Sequence, residues 1–430
     1  MKELIAKKSS SDIKWYDVIH TSGTSTSLSF KNNRFFSLSE KENSGTGIRI
    51  NKENRTGFSY TNDKTHVDQT FDTALSLCKY GDIENFHLPS SGNIDFEPYD
   101  DKINQFNLED EIVKGEEAIK EIRRELPGIM IDGGISASIG KQQLFNSEGL
   151  DISYKSSHYS ASLSATFINE DGSKIDTWES ESAMHGFDFH YLTEKIINKI
   201  SIAKTVKTCL SGKVSVLLVP TAFSRLLSFV ASGLNAKSVY KGISPFGDKL
   251  NEQVFSNNLT IIDDPKLSGS PFSYAIDDEG IVAQKKVLID NGVISNFVTD
   301  LKYGEKLNID PMGNGTRGFS SLPGPSFSNI IVEPGASHLE DIIKDMKIGI
   351  IAHQFIGLGQ SNTLTGEFSA NLDLAYLVED GKITGRIKDC MLTDNIFNLL
   401  KEDFTLSYER ERHGASLLPH AFFPQVNFTC

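Results

Sequence analysis

Residues 213–245 read KVSVLLVPTAFSRLLSFVASGLNAKSVYKGISP, and the fold of the whole chain is best approached from this stretch. Residues 214–219 form an apolar, valine-rich run that Pro220 stops, which predicts a buried strand. Apolar side chains then recur at spacings typical of one helix face: Phe223, Leu226, Leu227, Val230 and Leu234. We predict that Thr221 caps the start of this helix and that Gly233, near its end, takes a left-handed conformation. The stretch therefore predicts a strand, a tight turn and a helix.

The composition is that of an ordinary globular protein. A length of 430 residues predicts two or three domains with ample core. Hydrophobic residues make up 38% of the chain and charged residues 23%, which is typical of soluble proteins. The 43 lysines and arginines stand against 57 aspartates and glutamates, a net charge of -14. Because a basic surface drives binding to nucleic acid, this charge argues against a nucleic-acid partner.

The sequence also predicts no secretory or membrane element. The first residues, MKELIAKKSSSD, contain no apolar segment of the kind found in secretory signals. No apolar run approaches the roughly 20 residues needed to cross a bilayer, so no membrane partner is expected. Four cysteines stand far apart without a C-x-x-C motif: Cys78, Cys209, Cys390 and Cys430. This pattern predicts a cytoplasmic protein whose thiols stay free.

Two blocks in the N-terminal half share one plan, strands followed by a helix. Alternating segments between turn residues predict strands over 14–63, and a helix follows over 67–80. Strands are again predicted over 129–172, and a helix over 190–204. We interpret the two blocks as a duplicated α+β unit. The stretch 81–105 is rich in Pro, Ser, Gly, Asn and Asp and is predicted to be a linker.

The chain beyond residue 258 is predicted to be mostly strand and loop, because glycines and prolines punctuate it at short intervals. The predicted fold class is α+β, with a duplicated strand-meander-plus-helix N-terminal half and a β-rich C-terminal domain with a central helix. We place an N-terminal α+β unit at 1–95, a second, middle α+β unit at 105–205, and the β-rich C-terminal domain at 210–430.

Several segments resemble one known family. Residues 232–265, SGLNAKSVYKGISPFGDKLNEQVFSNNLTIIDDP, resemble the C-terminal domain of the TldD/TldE (PmbA) proteins, once called modulators of DNA gyrase. Five further segments carry the resemblance: SGTGIRI at 44–50, NSEGL at 146–150, DDEG at 277–280, NIIVEPG at 329–335 and IGLGQSNTLTGEFSA at 356–370. The first two resemble the family's N-terminal half. The resemblance covers nearly the whole chain.

The resemblance implies a zinc site in one branch of the family. In the TldD branch the central helix carries H-E-x-x-x-H, which supplies zinc ligands and a general base for peptide hydrolysis. Counting back from Gly233, these positions fall here on Leu227, Ser228 and Ser232. Zinc is bound by imidazole, thiolate or carboxylate, and hydrolysis needs a base beside the metal-bound water. We therefore predict no metal, no cofactor and no catalytic residue, and a chain nearer the TldE/PmbA branch.

The segment 356–370 resembles one that lies beside the inter-domain groove in this family. Its glycines would let an extended peptide approach the backbone and pair with an exposed strand edge. The candidate groove residues are Gly357, Gly359, Thr365, Gly366, Glu367 and His353. Two alternatives stay open: the glycines serve only turns and bulges, and the histidine, in an apolar strand, is a core residue. The segment lacks the G-x-x-x-x-G-K-[ST] motif of nucleotide-binding loops.

Other polar residues offer weaker candidates. Residues 277–279, DDE, could bind a cation or act in acid–base chemistry, but the favoured interpretation is a solvated turn before Gly280. His185 and His190 are five residues apart, on different faces of a regular helix, which disfavours a metal pair. A cysteine near the C-terminus completes the zinc site in the TldD branch. Cys430 lacks the matching context and is discounted.

Three functions follow, in this order. The first is a metal-free, non-catalytic subunit of a TldD/TldE-type metallopeptidase, which forms a heterodimer with a TldD-like zinc subunit and helps to bind and process unfolded peptides. The second is a self-sufficient peptidase or other hydrolase with an unrecognised site that uses residues 277–279 and His353. The third is a homodimeric regulatory module that binds peptides.

Overall fold

A computed structural model describes residues 2–8, 12–169 and 172–430. These residues fold into a six-stranded sheet, an eleven-stranded sheet and one small two-stranded pair, with helices packed against the larger sheets. The predicted α+β class is confirmed. Among the described residues, no helix combines the length and the apolar character that crossing a bilayer requires.

Both N-terminal blocks contribute to the six-stranded antiparallel sheet. Its strands are β1 (Ile13–Lys31), β2 (Arg34–Lys52), β3 (Arg55–Thr61), β4 (Met130–Asn146), β5 (Asp151–Ile168) and β6 (Lys174–Ala183). Their order in space is β3-β2-β1-β4-β5-β6. The central pair, β1 and β4, runs in register from Asp17 opposite Asn146 to Phe30 opposite Gly133. The two halves are therefore joined into one sheet.

Each half follows its three strands with a helix. The N-terminal helices are α1 (Lys2–Lys8), α2 (Val67–Leu77), α3 (Leu108–Glu125) and α4 (His190–Ala203). α2 packs against β2 and β3, and α4 takes the corresponding place against β5 and β6. This repetition confirms the duplicated plan.

The stretch predicted as a linker is packed rather than loose. Residues 81–105 contain the short 3-10 helix Asp101–Gln105 and otherwise irregular backbone. Phe86 and Leu88 are buried in a cluster with Trp15 of β1. The unit boundaries proposed from the sequence remain predictions.

The C-terminal part folds around a closed ring of strands. Its strands are β7 (Gly212–Leu218), β8 (Ile261–Asp263), β9 (Lys286–Asp290), β10 (Val293–Ile294), β11 (Gly315–Thr316), β12 (Gly324–Pro325), β13 (Ile330–Val332), β14 (Ile348–Ile356), β15 (Glu367–Glu379), β16 (Lys382–Ile387), β17 (Met391–Asn395), β18 (Thr405–His413) and β19 (Ser416–Thr429). The ring consists of five strands that pair one with the next in the order β7, β14, β15, β17 and β19. It closes because β19 also pairs with β7. The helices are α5 (Pro220–Gly233), α6 (Ala236–Tyr240), α7 (Leu301–Leu307), α8 (Leu339–Asp345) and α9 (Ile396–Lys401).

The predicted strand, turn and helix at the start of this part are present as β7 and α5, but two details differ. Val219 is the N-cap and Pro220 occupies the first helical position, where its missing N–H is no loss. The prediction of Thr221 as the cap is therefore wrong. Gly233 ends the helix without a left-handed conformation. A Cβ there would lie 2.5 Å from the ring of Phe246, so close packing explains the glycine.

Two of the four thiols predicted to stay free are joined. Cys390 precedes β17 and Cys430 follows β19, and these strands are neighbours with Met391 opposite Thr429. Their Cα atoms are 4.2 Å apart and the pair forms a disulfide. The two cysteines are 40 residues apart in sequence, and the pairing of β17 with β19 brings them together. The prediction that both thiols stay free is therefore wrong. Cys78 and Cys209 are free thiols.

A buried ionic network attaches the N-terminal sheet to the C-terminal part. Arg49 of β2 contacts Asp17 of β1 at 2.5 Å and Glu279 at 2.8 Å, and Arg317 contacts Asp17 at 3.1 Å. These four side chains are at most 3% exposed. Burial alone would raise the pKa of Asp17, but Arg317 and Arg49 hold it below its usual value. Each charge in the network therefore depends on its partners.

Replacement of Arg49 by methionine should lower the free energy of unfolding by about 3–5 kcal/mol, because Asp17 and Glu279 would stay buried with less compensation. Urea unfolding of the purified chain measures this change. Arg34→Met is the matched control, since Arg34 lies on the same strand with an exposed side chain. It should change stability by less than about 0.5 kcal/mol. Equal effects of the two replacements would contradict a stabilising role of the network.

Candidate functional site

Helix α5 turns one position of the zinc motif towards the core and the other two towards its outer face. Leu227 is 3% exposed and packs in the main hydrophobic core, whereas Ser228 is exposed and Ser232 is half-buried. The Ser228 hydroxyl donates to the carbonyl oxygen of Arg225 at 2.6 Å, and the Ser232 hydroxyl donates to that of Ser228 at 2.9 Å. The helix is apolar on its inner face and carries self-satisfied hydroxyls on its outer face.

These residues do not fit a zinc ion. An aliphatic side chain and two hydroxyls provide none of the imidazole, thiolate or carboxylate ligands that zinc prefers. Leu227 also faces the core, so the three positions do not converge on one point. Within residues 2–8, 12–169 and 172–430, no group of three or more His, Cys, Asp and Glu side chains is placed to hold a metal.

The predicted groove segment connects β14 to β15 and forms a tight loop. Gly357 has φ 86°, and Gly366 has φ 79° with a would-be Cβ only 2.5 Å from Phe397. Backbone geometry and packing therefore require glycine at these two positions, as the turn interpretation expected. Gly359 is different, because nothing lies within 4 Å of a Cβ built on it. Thr365 and Glu367 lie at the far end of the loop, where their side chains are 3.3 Å apart.

His353 lies before this loop, in a pair of adjacent β-bulges. β14 advances two residues, from Ala352 to Gln354, while β15 advances one. In the next step β15 advances two residues, and the extra one is Asp373. Bulges re-aim side chains and are frequent beside functional sites. The two extra residues, His353 and Asp373, both line the same cavity.

This cavity, of about 150 Å³, lies where α5, β6, β14 and β15 meet, and we call it the α5 cavity. Its polar lining includes Thr221, Arg225, Asp176, His353 and Asp373. Sites for drug-sized ligands span roughly 300–1,000 Å³, so the α5 cavity suits a single side chain rather than a whole small molecule.

Hydrogen bonds hold the acidic part of the α5 cavity in place. Gln354 receives a hydrogen bond from the Thr177 hydroxyl at 2.8 Å and donates to Asp373 at 3.3 Å. Burial, followed by repulsion from Asp176, raises the pKa of Asp373. The cavity therefore gathers hydrogen-bonding groups from both sheets.

His353 enters the α5 cavity as a neutral imidazole. Burial lowers its pKa well below the ordinary value, and nearby Lys199 adds to the effect. Its ring packs against Tyr376 at a centroid distance of 4.8 Å. Its Nδ1 atom is buried and has no hydrogen-bond partner among the described residues, so the interpretation as a satisfied core histidine holds for the packing but not for this nitrogen.

Comparison with known proteins shows the family to which the chain belongs. Residues 16–78 match PmbA/TldA metallopeptidase domain 1, and residues 98–208 match the PmbA/TldA metallopeptidase central domain. Residues 211–430, more than half of the chain, match the PmbA/TldA metallopeptidase C-terminal domain. The chain belongs to the PmbA/TldA metallopeptidase family.

Relatives within the family differ in how much of the chain they share. An uncharacterized protein of Methanocaldococcus jannaschii is 28% identical over 390 residues, which covers 88% of each chain. A metalloprotease TldD homolog of Buchnera aphidicola is 34% identical over 232 residues, 53% of this chain and 45% of the relative. The crystal structure of TldE from Thermococcus kodakarensis matches with a TM-score of 0.92 and 23% identity over the full length of both chains, which shows a shared fold.

The two histidines near the start of α4 in this PmbA/TldA family member have separate partners. His185 lies 3.7 Å from Asp100, and His190, the first residue of α4, lies 3.5 Å from Glu121 and 3.1 Å from Glu194. Among the described residues they do not share an ion-pair partner.

The acidic cluster at 277–279 is not the solvated turn that was expected. Asp277 and Glu279 are 2% exposed. Asp277 accepts backbone hydrogen bonds from Gly315, Glu279 and Ile281, and Asp278 accepts one from Arg317. These charges can be buried because backbone N–H groups donate to Asp277 and Asp278, and because Arg49, which is distant in sequence, pairs with Glu279. The structure places this cluster in the ionic network and His353 in the α5 cavity, with different neighbours.

Sequence reasoning identified His353 and missed its neighbours in the α5 cavity. Asp373 fits the apolar–polar alternation of an ordinary strand, and no residue type in β14 or β15 predicts the bulges. Arg225 is a polar position on a predicted helix, and it could have been found by asking which side chains share the outer face with Ser228. Asp176 comes from the other sheet, so only the tertiary structure reveals its place.

Leu227→Ala should destabilise the chain by about 2–5 kcal/mol, because it leaves a cavity in the core. Ser228→Ala, at the next position, should change the free energy of unfolding by less than about 0.5 kcal/mol. Urea unfolding of both variants tests whether Leu227 faces the core while Ser228 faces outward. Similar losses at both positions would show that the helix is oriented differently.

Asp300 provides a pH-dependent test of the buried network. It accepts a hydrogen bond from the backbone N–H of Tyr303, and burial, with repulsion from Glu279, raises its pKa to about 7. The folded chain therefore holds a proton that the unfolded chain releases near its ordinary pKa of 3.8. Stability from this group is full below that value and is lost as the pH rises towards 7.

Asp300→Asn keeps the helix cap and removes the ionisation. The stability of the variant relative to the native chain should rise by about 3 kcal/mol between pH 5 and pH 8, as measured by urea unfolding at each pH. The exposed Asp310→Asn is the control and should show a constant difference. A constant difference for Asp300→Asn as well would rule out a raised pKa.

Proposed function

We propose that this chain is the metal-free, non-catalytic subunit of a TldD/TldE-type peptidase complex in the cytoplasm. Its partner is a TldD-like zinc metallopeptidase subunit, and together they bind and process unfolded peptides. Similarity to a metalloprotease TldD homolog and the fold shared with a TldE structure support a partner of this type.

One observation carries the proposal: the helix positions for zinc ligands and base hold an aliphatic side chain and two hydroxyls. Leu227 contributes to the core, and the hydroxyls of Ser228 and Ser232 bond to the backbone of their own helix. Peptide hydrolysis needs a metal-bound water or an activated nucleophile. The helix supplies neither, so cleavage falls to the other subunit.

The function assigned to this chain is to hold the peptide. The loop after β14 offers backbone groups at Gly357 and open space at Gly359, where an extended peptide can approach closely. Phe355, two residues before the loop, lines the α5 cavity together with Arg225 and Asp373. A peptide along this path would place one polar side chain in the cavity.

The chain purified alone should cleave no unfolded peptide and should retain no zinc after dialysis. Co-expressed with a TldD-like subunit from the same genome, it should form a complex that holds about one zinc ion and degrades unfolded casein. Size-exclusion chromatography, metal analysis by mass spectrometry and a fluorescent casein assay measure these three results. Cleavage by the lone chain that chelators do not reduce would overturn the proposal.

Serine variants provide the matched control. Ser228→Ala and Ser232→Ala should leave the zinc content and activity of the complex unchanged, because neither hydroxyl serves a metal. Replacement of the glutamate in the zinc motif of the TldD-like subunit should abolish activity. A stable metal-free homodimer that ignores the TldD-like subunit would instead favour the homodimeric peptide-binding function.

A further inference from the structure

A larger cavity lies between α3, the 3-10 helix Asp101–Gln105 and the loop that leads into α4, and we call it the α3 cavity. Its volume is about 690 Å³. Small-molecule sites typically span roughly 300–1,000 Å³, so the α3 cavity has the size of such a site. It shares no lining residue with the α5 cavity.

Aromatic side chains form the apolar wall of the α3 cavity. Tyr159 is fully buried, and its ring contacts Phe106 at a centroid distance of 6.2 Å and Phe187 at 5.2 Å. Both contacts are edge to face. Such rings pack against an apolar body and attract a cation placed over a ring face.

The polar lining of the α3 cavity is predominantly acidic. Its carboxylates are Glu111, Glu117, Glu121 and Asp188, against the two lysines Lys102 and Lys114. Glu111 is buried, accepts a hydrogen bond from the Tyr159 hydroxyl at 2.6 Å and pairs with Lys114 at 2.6 Å. Glu117 has no ion-pair partner among the described residues. Because Lys114 pairs with Glu111 and His190 lies beside Glu121, one lysine, Lys102, remains in the lining for Glu117 and Asp188.

Histidines tie the rim of the α3 cavity together. His185, in the loop before α4, lies 3.7 Å from Asp100, beside the 3-10 helix, and His190 lies 3.5 Å from Glu121 of α3. The first contact joins the loop to the residue that precedes the 3-10 helix, and the second joins the start of α4 to α3. The rim is thus held by polar contacts, while the wall behind it is aromatic.

We propose that the α3 cavity binds a small organic cation, an amine with an aromatic or aliphatic body. The ammonium group would meet the surplus carboxylates, and the body would pack against Phe106 and Phe187, whose rings the buried Tyr159 supports. A metal ion is a poorer occupant, because no metal-holding group of side chains occurs in the described part of the chain. The cavity does not involve the α5 helix, so this proposal stands apart from the peptidase complex.

Tryptamine and tryptophol make a matched pair of probes, because they share an indole ring and differ in an ammonium or a hydroxyl group. Isothermal titration of the full chain should show saturable tryptamine binding with a Kd below about 1 mM. The Kd for tryptophol should be at least tenfold higher, a difference in binding free energy of about 1.4 kcal/mol. No saturable binding up to about 10 mM, or equal binding of the two probes, would overturn the proposal.

Variants locate the binding site. Glu117→Gln should weaken tryptamine binding about threefold, whereas Glu116→Gln, at the neighbouring exposed position outside the cavity lining, should leave it unchanged. Phe187→Leu keeps an apolar side chain but removes the ring, and should also weaken binding about threefold. Thermal unfolding checks that each variant is folded. Equal losses in the two glutamate variants would indicate general surface attraction and contradict a site in the α3 cavity.

Discussion

Packing of helix α5 against the closed C-terminal strand ring is the constraint on which the site depends. β19 pairs with β17 on one side and with β7 on the other, and α5 packs against β14 and β19 of that ring. The face of the helix that packs against these strands must be apolar, and this requirement fixes the rotation of the helix about its own axis. Successive helix residues are about 100° apart, so burial of Leu227 turns Ser228 outward. The same packing brings Arg225 to the α5 cavity.

The buried ionic network joins the N-terminal sheet to the C-terminal part that carries this helix. Asp17 belongs to the central strand β1 of the N-terminal sheet and Arg49 to its neighbour β2, whereas Glu279 and Arg317 belong to the C-terminal part. β6 is an edge strand of that sheet, and it brings Asp176 to the α5 cavity. A cavity built from both sheets keeps its shape only if the sheets are fixed relative to each other. Buried charges with few alternative partners provide that fixed register.

Local sequence patterns were sufficient for the parts of the fold that depend on one segment at a time. The apolar spacing at 214–234 predicted β7 and α5, and repeated meanders predicted the duplicated half. The N-cap prediction was wrong because proline at the first helical position displaced the start by two residues from Thr221. The acidic cluster and the Cys390–Cys430 pair depend on partners distant in sequence, which no local pattern reveals. The bulges at His353 and Asp373 compensate each other, so the strand alternation around them looks regular.

The residues on the outer face of α5 also explain how the helix is stable without a metal. Zinc ligands in this place would be polar groups that lack partners whenever the ion is absent, and such groups are costly when partly buried. Ser228 and Ser232 avoid this cost because each hydroxyl bonds to a carbonyl of the preceding turn. Leu227 contributes to the core instead. The three positions together make a helix whose folding does not depend on a bound zinc ion.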